Sequence, residues 1–153
     1  MDLVSNMIEA HIFKQVNNSI EYLLLKRSET EIYPGLWQMV SGKIKSGEKA
    51  YETALREIKE ETGLTPVKFW VAPNINPFYE PGKDYISFLP VFAALVNKNA
   101  EVKISNEHSE FLWAESEKAK RLLAWPGQRK SVDVITEYFT NEISFLNFVE
   151  IKI

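Results

Sequence analysis

The chain has 153 residues, 18 Lys+Arg against 21 Asp+Glu, a formal net charge of −3, and 45% hydrophobic and 25% charged residues. That balance and length suit one folded domain over residues 1–153 and argue against disorder, a coiled coil or a basic duplex-binding surface. The chain has no cysteine and only two histidines, His11 and His108. Disulfides, Cys-ligated metals and multi-histidine centres are thereby excluded, and any metal site must be built from oxygen.

Asp2 and Glu9 interrupt the amino terminus before any long apolar stretch, and no apolar run reaches the roughly 18 residues of a membrane span. The expected setting is therefore cytoplasmic, without membrane contact. In chain order, Met7–Phe13 and Tyr22–Lys26 read as a hairpin around Asn17-Asn18-Ser19. Leu36–Val40 reads as a strand ending at Ser41-Gly42. Helical spacing then runs from Glu48 to Thr62, closed by Gly63 and followed by Pro66. Val67–Ala72 and Tyr85–Val96 read as strands joined by a long polar connection, Pro73–Asp84, of the length at which loops are often functional. Glu110–Ala114 reads as a short strand, and Glu115–Leu123 and Gln128–Phe139 as helices. The apolar tail Ile143–Ile153 fits strand or helix; exposed, it would offer a homodimer surface, but closing the core is the preferred reading. The order of elements predicts an α+β or layered α/β domain.

The helix Glu48–Thr62 carries the chemistry. At about 100° per residue, Tyr51, Leu55, Ile58 and Thr62 form the core stripe, while Glu57, Glu60 and Glu61 share an arc of about 100° beside Ala50 and Ala54. Such a face is ordinarily just solvated. Here, however, like charges at i,i+3 and i,i+4 sit near the helix C-terminus, where both neighbours and macrodipole disfavour them. A bound hard cation would offset that cost. The preceding loop Gly42–Gly47 can bring bare backbone carbonyls near the helix, and Glu48 can reach in from its start.

These residues closely resemble the Nudix family. The Nudix box is matched at every fixed position: Gly42, Glu48, Arg56, Glu57, Ile58, Glu60, Glu61, Gly63 and Leu64. The likeness extends roughly from Met7 to Phe139 through Leu23–Arg27, Pro34–Trp37, Glu107-His108 and Phe111–Trp113. It implies an α/β/α sandwich with a mixed β-sheet and a catalytic loop-helix-loop, and Mg²⁺-dependent attack of water on a diphosphate linkage, with Mn²⁺ able to substitute. Carried over by position, Glu57, Glu60 and Glu61 are metal ligands, Gly42 offers its carbonyl, Glu48 lies close to the metals, and Arg56 orients a box glutamate. The general base would be a box glutamate such as Glu60, or Glu107 in the later loop, with Glu110 as runner-up.

The box says little about the leaving group. Arg27 occupies a place where family members contact a substrate phosphate, and Trp37, Phe78, Tyr79, Tyr85 and Trp125 are the aromatics available for stacking, Phe78 and Tyr79 being expected to be exposed. Leu36–Gly42, Glu107-His108 and Leu123–Ser131 resemble the bacterial dATP and dihydroneopterin triphosphate pyrophosphohydrolases, which implies a small-molecule triphosphate cleaved to pyrophosphate and a monophosphate. Dinucleoside polyphosphate and ADP-ribose hydrolases share the box, and Tyr79 and Pro81 fall near their loose markers. A Nudix-fold binding module without catalysis is the reading from another class; the intact box speaks against it.

Overall fold

The computed structural model describes residues 1–153. The strands are β1 (Asp2–Val4), β2 (Met7–Val16), β3 (Ser19–Arg27), β4 (Trp37–Gln38), β5 (Val40–Lys43), β6 (Lys68–Glu80), β7 (Tyr85–Leu95) and β8 (His108–Glu115). The helices are α1 (Ala50–Thr62), α2 (Ser116–Leu122) and α3 (Pro126–Asn141), and a 3₁₀ turn spans Ile143–Phe148. All strands join one mixed sheet of order β1-β7-β2-β3-β4, with β5 also on β2, β6 on β7 and β8 on β3. β2 and β7 run parallel, while β2 and β3 form the expected hairpin.

Because side chains alternate across a strand, β2 feeds two cores. Ile8, Ala10 and Ile12 pack with Ala54 and Ile58 of α1 on one face. Phe13 packs with Tyr22, Trp70, Val132 and Ile135 on the other, under α3. The sheet is thus covered on both sides, an α/β/α sandwich. Glu9 and His11 alternate with the apolar set and are buried on the α3 side, where His11 Nε2 donates to Glu9 Oε1 at 2.6 Å and Asn76 Nδ2 donates to Glu9 Oε2 at 2.9 Å. Nearby, Asn74 Nδ2 donates to Ser131 Oγ, tying β6 to α3.

Three expectations are corrected. The strand expected over Leu36–Val40 is split: Trp37-Gln38 pairs with β3, whereas Val40–Lys43 pairs with β2. The connection Pro73–Asp84 is mostly strand, because β6 continues to Glu80 and pairs with β7 through an irregularity between Val71 and Ile75. The prolines are tolerated: Pro73 lies within that irregularity, and Pro77 lies on a strand whose ladder partner is β7 alone. On α1, Tyr51 and Leu55 are only partly buried, and Thr53, Ala54 and Glu61 are buried instead alongside Ile58 and Thr62.

The carboxyl-terminal tail covers the free edge of β6, Val71 N donating to Val149 O and Ile151 N to Phe69 O, with Leu146 buried. Ile143, Phe145, Phe148 and Ile153 remain exposed. No helix is long and apolar enough to cross a membrane.

Candidate active site

The loop between β5 and α1 and the whole of α1 set the carboxylates. Gly63 ends the helix in the left-handed conformation, φ 74°, that its missing side chain permits, donating its N–H to Lys59 O. At the other end Glu52 accepts the Lys49 N–H. Between them Arg56 acts as a hub. Its Nε and Nη2 grip the Glu48 carboxylate at 2.7 and 3.0 Å, its Nη1 donates to Glu57 at 2.7 Å and Glu60 at 3.2 Å, and Nη2 also reaches Lys43 O at 3.2 Å. A planar guanidinium with five donors can hold this fan of acceptors; a lysine cannot. Arg56, with Thr53 Oγ1 and the Lys45 N–H, holds the Glu48 carboxyl down to about 2. Glu57 is shifted the other way, upward, because burial outweighs the pull of Arg56.

Glu61 differs from its neighbours. It is 3% exposed, and its Oε2 has no hydrogen-bond partner. Burial, reinforced by Glu57 and Glu107, pushes its carboxyl up to about 9. The cover is a remote segment docked on the helix end: Lys103 N donates to Thr62 O and Ser105 N to Glu61 O. That docking brings Glu107 and His108 against Glu61, so that one ligand atom from each of the three lies within 4.8 Å of the others. Glu107 is fixed from the other side by Ser28, whose N–H donates to its carbonyl at 3.0 Å.

His108, missed as a site residue, is buried with His108 Nε2 4.0 Å from Glu61 Oε1. Arg27 Nη1 donates to Gln38 Oε1, which turns the Gln38 amide nitrogen toward His108 Nε2 at 3.0 Å. The ring nitrogen facing the carboxylates is therefore the acceptor, an assignment made from the network. Burial, and then the Arg27 charge, hold the imidazole down to about 4, so it is neutral near neutral pH. The sequence signals for His108 and Gln38 were only that Glu107-His108 and Leu36–Gly42 resemble family segments, which assigned neither side chain a role.

The other candidates lie apart from one another. Arg27 is engaged by Gln38, Glu31 and the Ile32 carbonyl, at the edge of the carboxylate cluster. Glu110 is exposed and paired with Lys26 at 3.0 Å where β3 and β8 run side by side. Trp37 packs against the core on the α3 face beside Leu123. Phe78 and Tyr79 are exposed as expected, but on the distal half of the β6–β7 hairpin, with the Tyr79 hydroxyl donating to Asp84.

Oxygen donors dominate the cluster, and Glu61 Oε2 is buried without a hydrogen-bond partner. This set fits a hard divalent cation. The NUDIX domain family model matches residues 7–135. This chain belongs to the Nudix hydrolase family. The nucleoside triphosphatase NudI of Escherichia coli O139:H28 is 30% identical over 110 residues, covering 67% of this chain and 78% of its own length. Among solved structures, a Caenorhabditis elegans Ap4A hydrolase binary complex aligns with a TM-score of 0.76 at 23% identity, covering 89% of this chain and 97% of that one. The Escherichia coli dihydroneopterin triphosphate pyrophosphohydrolase aligns with a TM-score of 0.69 at 23% identity, over 84% and 94% of the two chains. These two structures establish the Nudix fold of the chain.

Proposed function

We propose that this Nudix hydrolase cleaves a nucleoside or pterin triphosphate to pyrophosphate and a monophosphate, with Mg²⁺ as its cofactor. The observation that carries the reading is the pairing of an intact box with a buried carboxylate, Glu61, that has no partner for Oε2. The nucleoside triphosphatase NudI, a relative at 30% identity, supports a triphosphate over a dinucleotide.

In this reading Glu57, Glu60 and Glu61, with the Gly42 carbonyl, hold the cation, and Glu48 stands beside them. When bound there, such an ion would polarise phosphoryl oxygens and neutralise the charge that develops on them. Arg56 fans three of the carboxylates into place through the bonds described above and stays out of the substrate. Glu107 is the general base: exposed beside Glu61 and held by Ser28, it can take the proton of an attacking water. Glu110, paired with Lys26, is set aside for that role.

The test is a release screen with Mg²⁺ on deoxynucleoside triphosphates, dihydroneopterin triphosphate, diadenosine polyphosphates and ADP-ribose. Each reaction is split between added pyrophosphatase and added phosphatase. Phosphate appearing with pyrophosphatase, and largest for a triphosphate, is expected. Phosphate appearing only with phosphatase, from ADP-ribose or a dinucleotide, would overturn the substrate class, and silence throughout would favour a binding module.

A further inference from the structure

His108 has no part in the reading above, although it stands beside Glu61. One of only two histidines in the chain, it opens β8 and is 4% exposed. Its backbone is held from two sides. The His108 N–H donates to Ser105 O at 3.2 Å, and the residue pairs with Arg27 next to an irregularity in the β3–β8 ladder. The ring therefore has little freedom to turn away from the carboxylates.

That ring presents an acceptor to an acceptor. Nε2 takes the Gln38 amide N–H at 3.0 Å, so it carries no proton of its own. It lies 4.0 Å from Glu61 Oε1, beyond hydrogen-bond reach. Two buried polar atoms thus face one another with no hydrogen bond between them, an arrangement that costs free energy unless a positive group joins them. The shortage extends over both side chains. Glu61 Oε2 and His108 Nδ1 are two of the three buried side-chain polar atoms in the chain that have no hydrogen-bond partner. Glu107, exposed, brings a third ligand atom within 4.8 Å of the pair. An ion about 2 Å from each of two ligand atoms holds them about 3–4 Å apart, which is the separation of Glu61 Oε1 and His108 Nε2.

We propose that His108 Nε2 is a nitrogen ligand of the cation held by Glu61; this rests on the reading that the box carboxylates bind the metal. The nitrogen has one lone pair, so the cation takes the place of the Gln38 N–H. Gln38, tied to Arg27 through its Oε1, keeps the ring in the accepting state that a metal requires. A ring nitrogen is a softer donor than the oxygens Mg²⁺ prefers, so His108 raises the affinity for a transition-metal ion relative to Mg²⁺.

The test uses wild-type protein carrying ¹⁵N only at its histidines, loaded with Mn²⁺ and read by electron-nuclear double resonance, which detects a nitrogen bound directly to the ion. A ¹⁵N coupling is expected in wild type and its loss in His108→Gln. Calorimetry on the same proteins gives a second readout, in which His108→Gln is expected to lower the Co²⁺-to-Mg²⁺ affinity ratio about tenfold or more. Equal weakening of both ions would overturn the ligand and leave His108 a structural role. Mn²⁺ bound to wild type without ¹⁵N coupling, or a coupling that survives in His108→Gln, would overturn it too while the carboxylate reading stands. If His108→Gln fails to fold, the labelled wild type decides alone, because the other histidine, His11, is bonded to Glu9 on the α3 side of the sheet. Wild type that binds no Mn²⁺ would overturn the carboxylate reading and the nitrogen ligand with it.

Discussion

Gly42 and Glu57 touch so closely that a β-carbon on Gly42 would lie 2.4 Å from the Glu57 carboxyl carbon. Gly42 thus leaves the space in which a box carboxylate sits, and the requirement is steric, since its backbone is not left-handed. Gly42→Ala is expected to displace Glu57 from its bond with Arg56 and to lower turnover about 10–100-fold, the usual cost of disturbing a ligand's support. Steady-state kinetics across a Mg²⁺ titration checks this, with unaltered turnover as the contrary result.

Arg56 holds Glu48, Glu57, Glu60 and the Lys43 carbonyl at once. Arg56→Lys keeps the charge and loses the fork, so a role in orientation predicts about a 10–100-fold loss of metal affinity or activity. Titration of Mn²⁺ by calorimetry, alongside kcat, would show it. Full retention of both would mean that charge alone suffices.

Metal-free protein should have an uneven pH–stability profile. Glu61, ordinarily near 4.5, stands at about 9 in the folded state. Between those values the folded state binds more protons than the unfolded, so stability falls as pH rises. His108, ordinarily near 6.5, stands at about 4, so the unfolded state binds more protons there and stability falls as pH drops through that window. The two slopes nearly cancel between about pH 4.5 and 6, and above about pH 6.5 Glu61 acts alone, giving a plateau near about pH 5–6 and a loss above it of more than about 1 kcal/mol. A divalent cation, which needs the carboxylate ionised, should flatten the alkaline limb. Chemical denaturation at a series of pH values, with and without Mg²⁺, reads both effects.

Glu107 abuts Glu61 yet is itself exposed. As the general base it predicts that Glu107→Gln lowers kcat about 10²–10⁴-fold with little change in metal affinity. An unchanged rate would return the base to the box, with Glu60 first in line.

The carboxylate-bearing helix was legible because the box repeats a dense set of residue types at fixed spacing. Burial of Glu61 was not. A helical wheel places Glu57, Glu60 and Glu61 on one outer arc, and only the docking of residues 103–108, more than forty positions away, separates Glu61 from its neighbours. The same distance hid Gln38 and His108, which meet across seventy residues. Val67–Ala72 is legible as strand, but beyond it Pro73, Asn74 and Pro77 are turn formers locally, whereas pairing with β7 extends β6 to Glu80.

The most direct measurement is cation binding to Glu61→Gln by calorimetry, with turnover and thermal midpoint recorded on the same preparation. If the box carboxylates hold the metal, the variant loses most turnover and binds Mg²⁺ or Mn²⁺ about 10–100-fold more weakly, while the metal-free fold is as stable as wild type or, above about pH 7, more stable, because a buried ionisable group is gone. Wild-type affinity together with retained turnover at saturating Mg²⁺ would contradict the account.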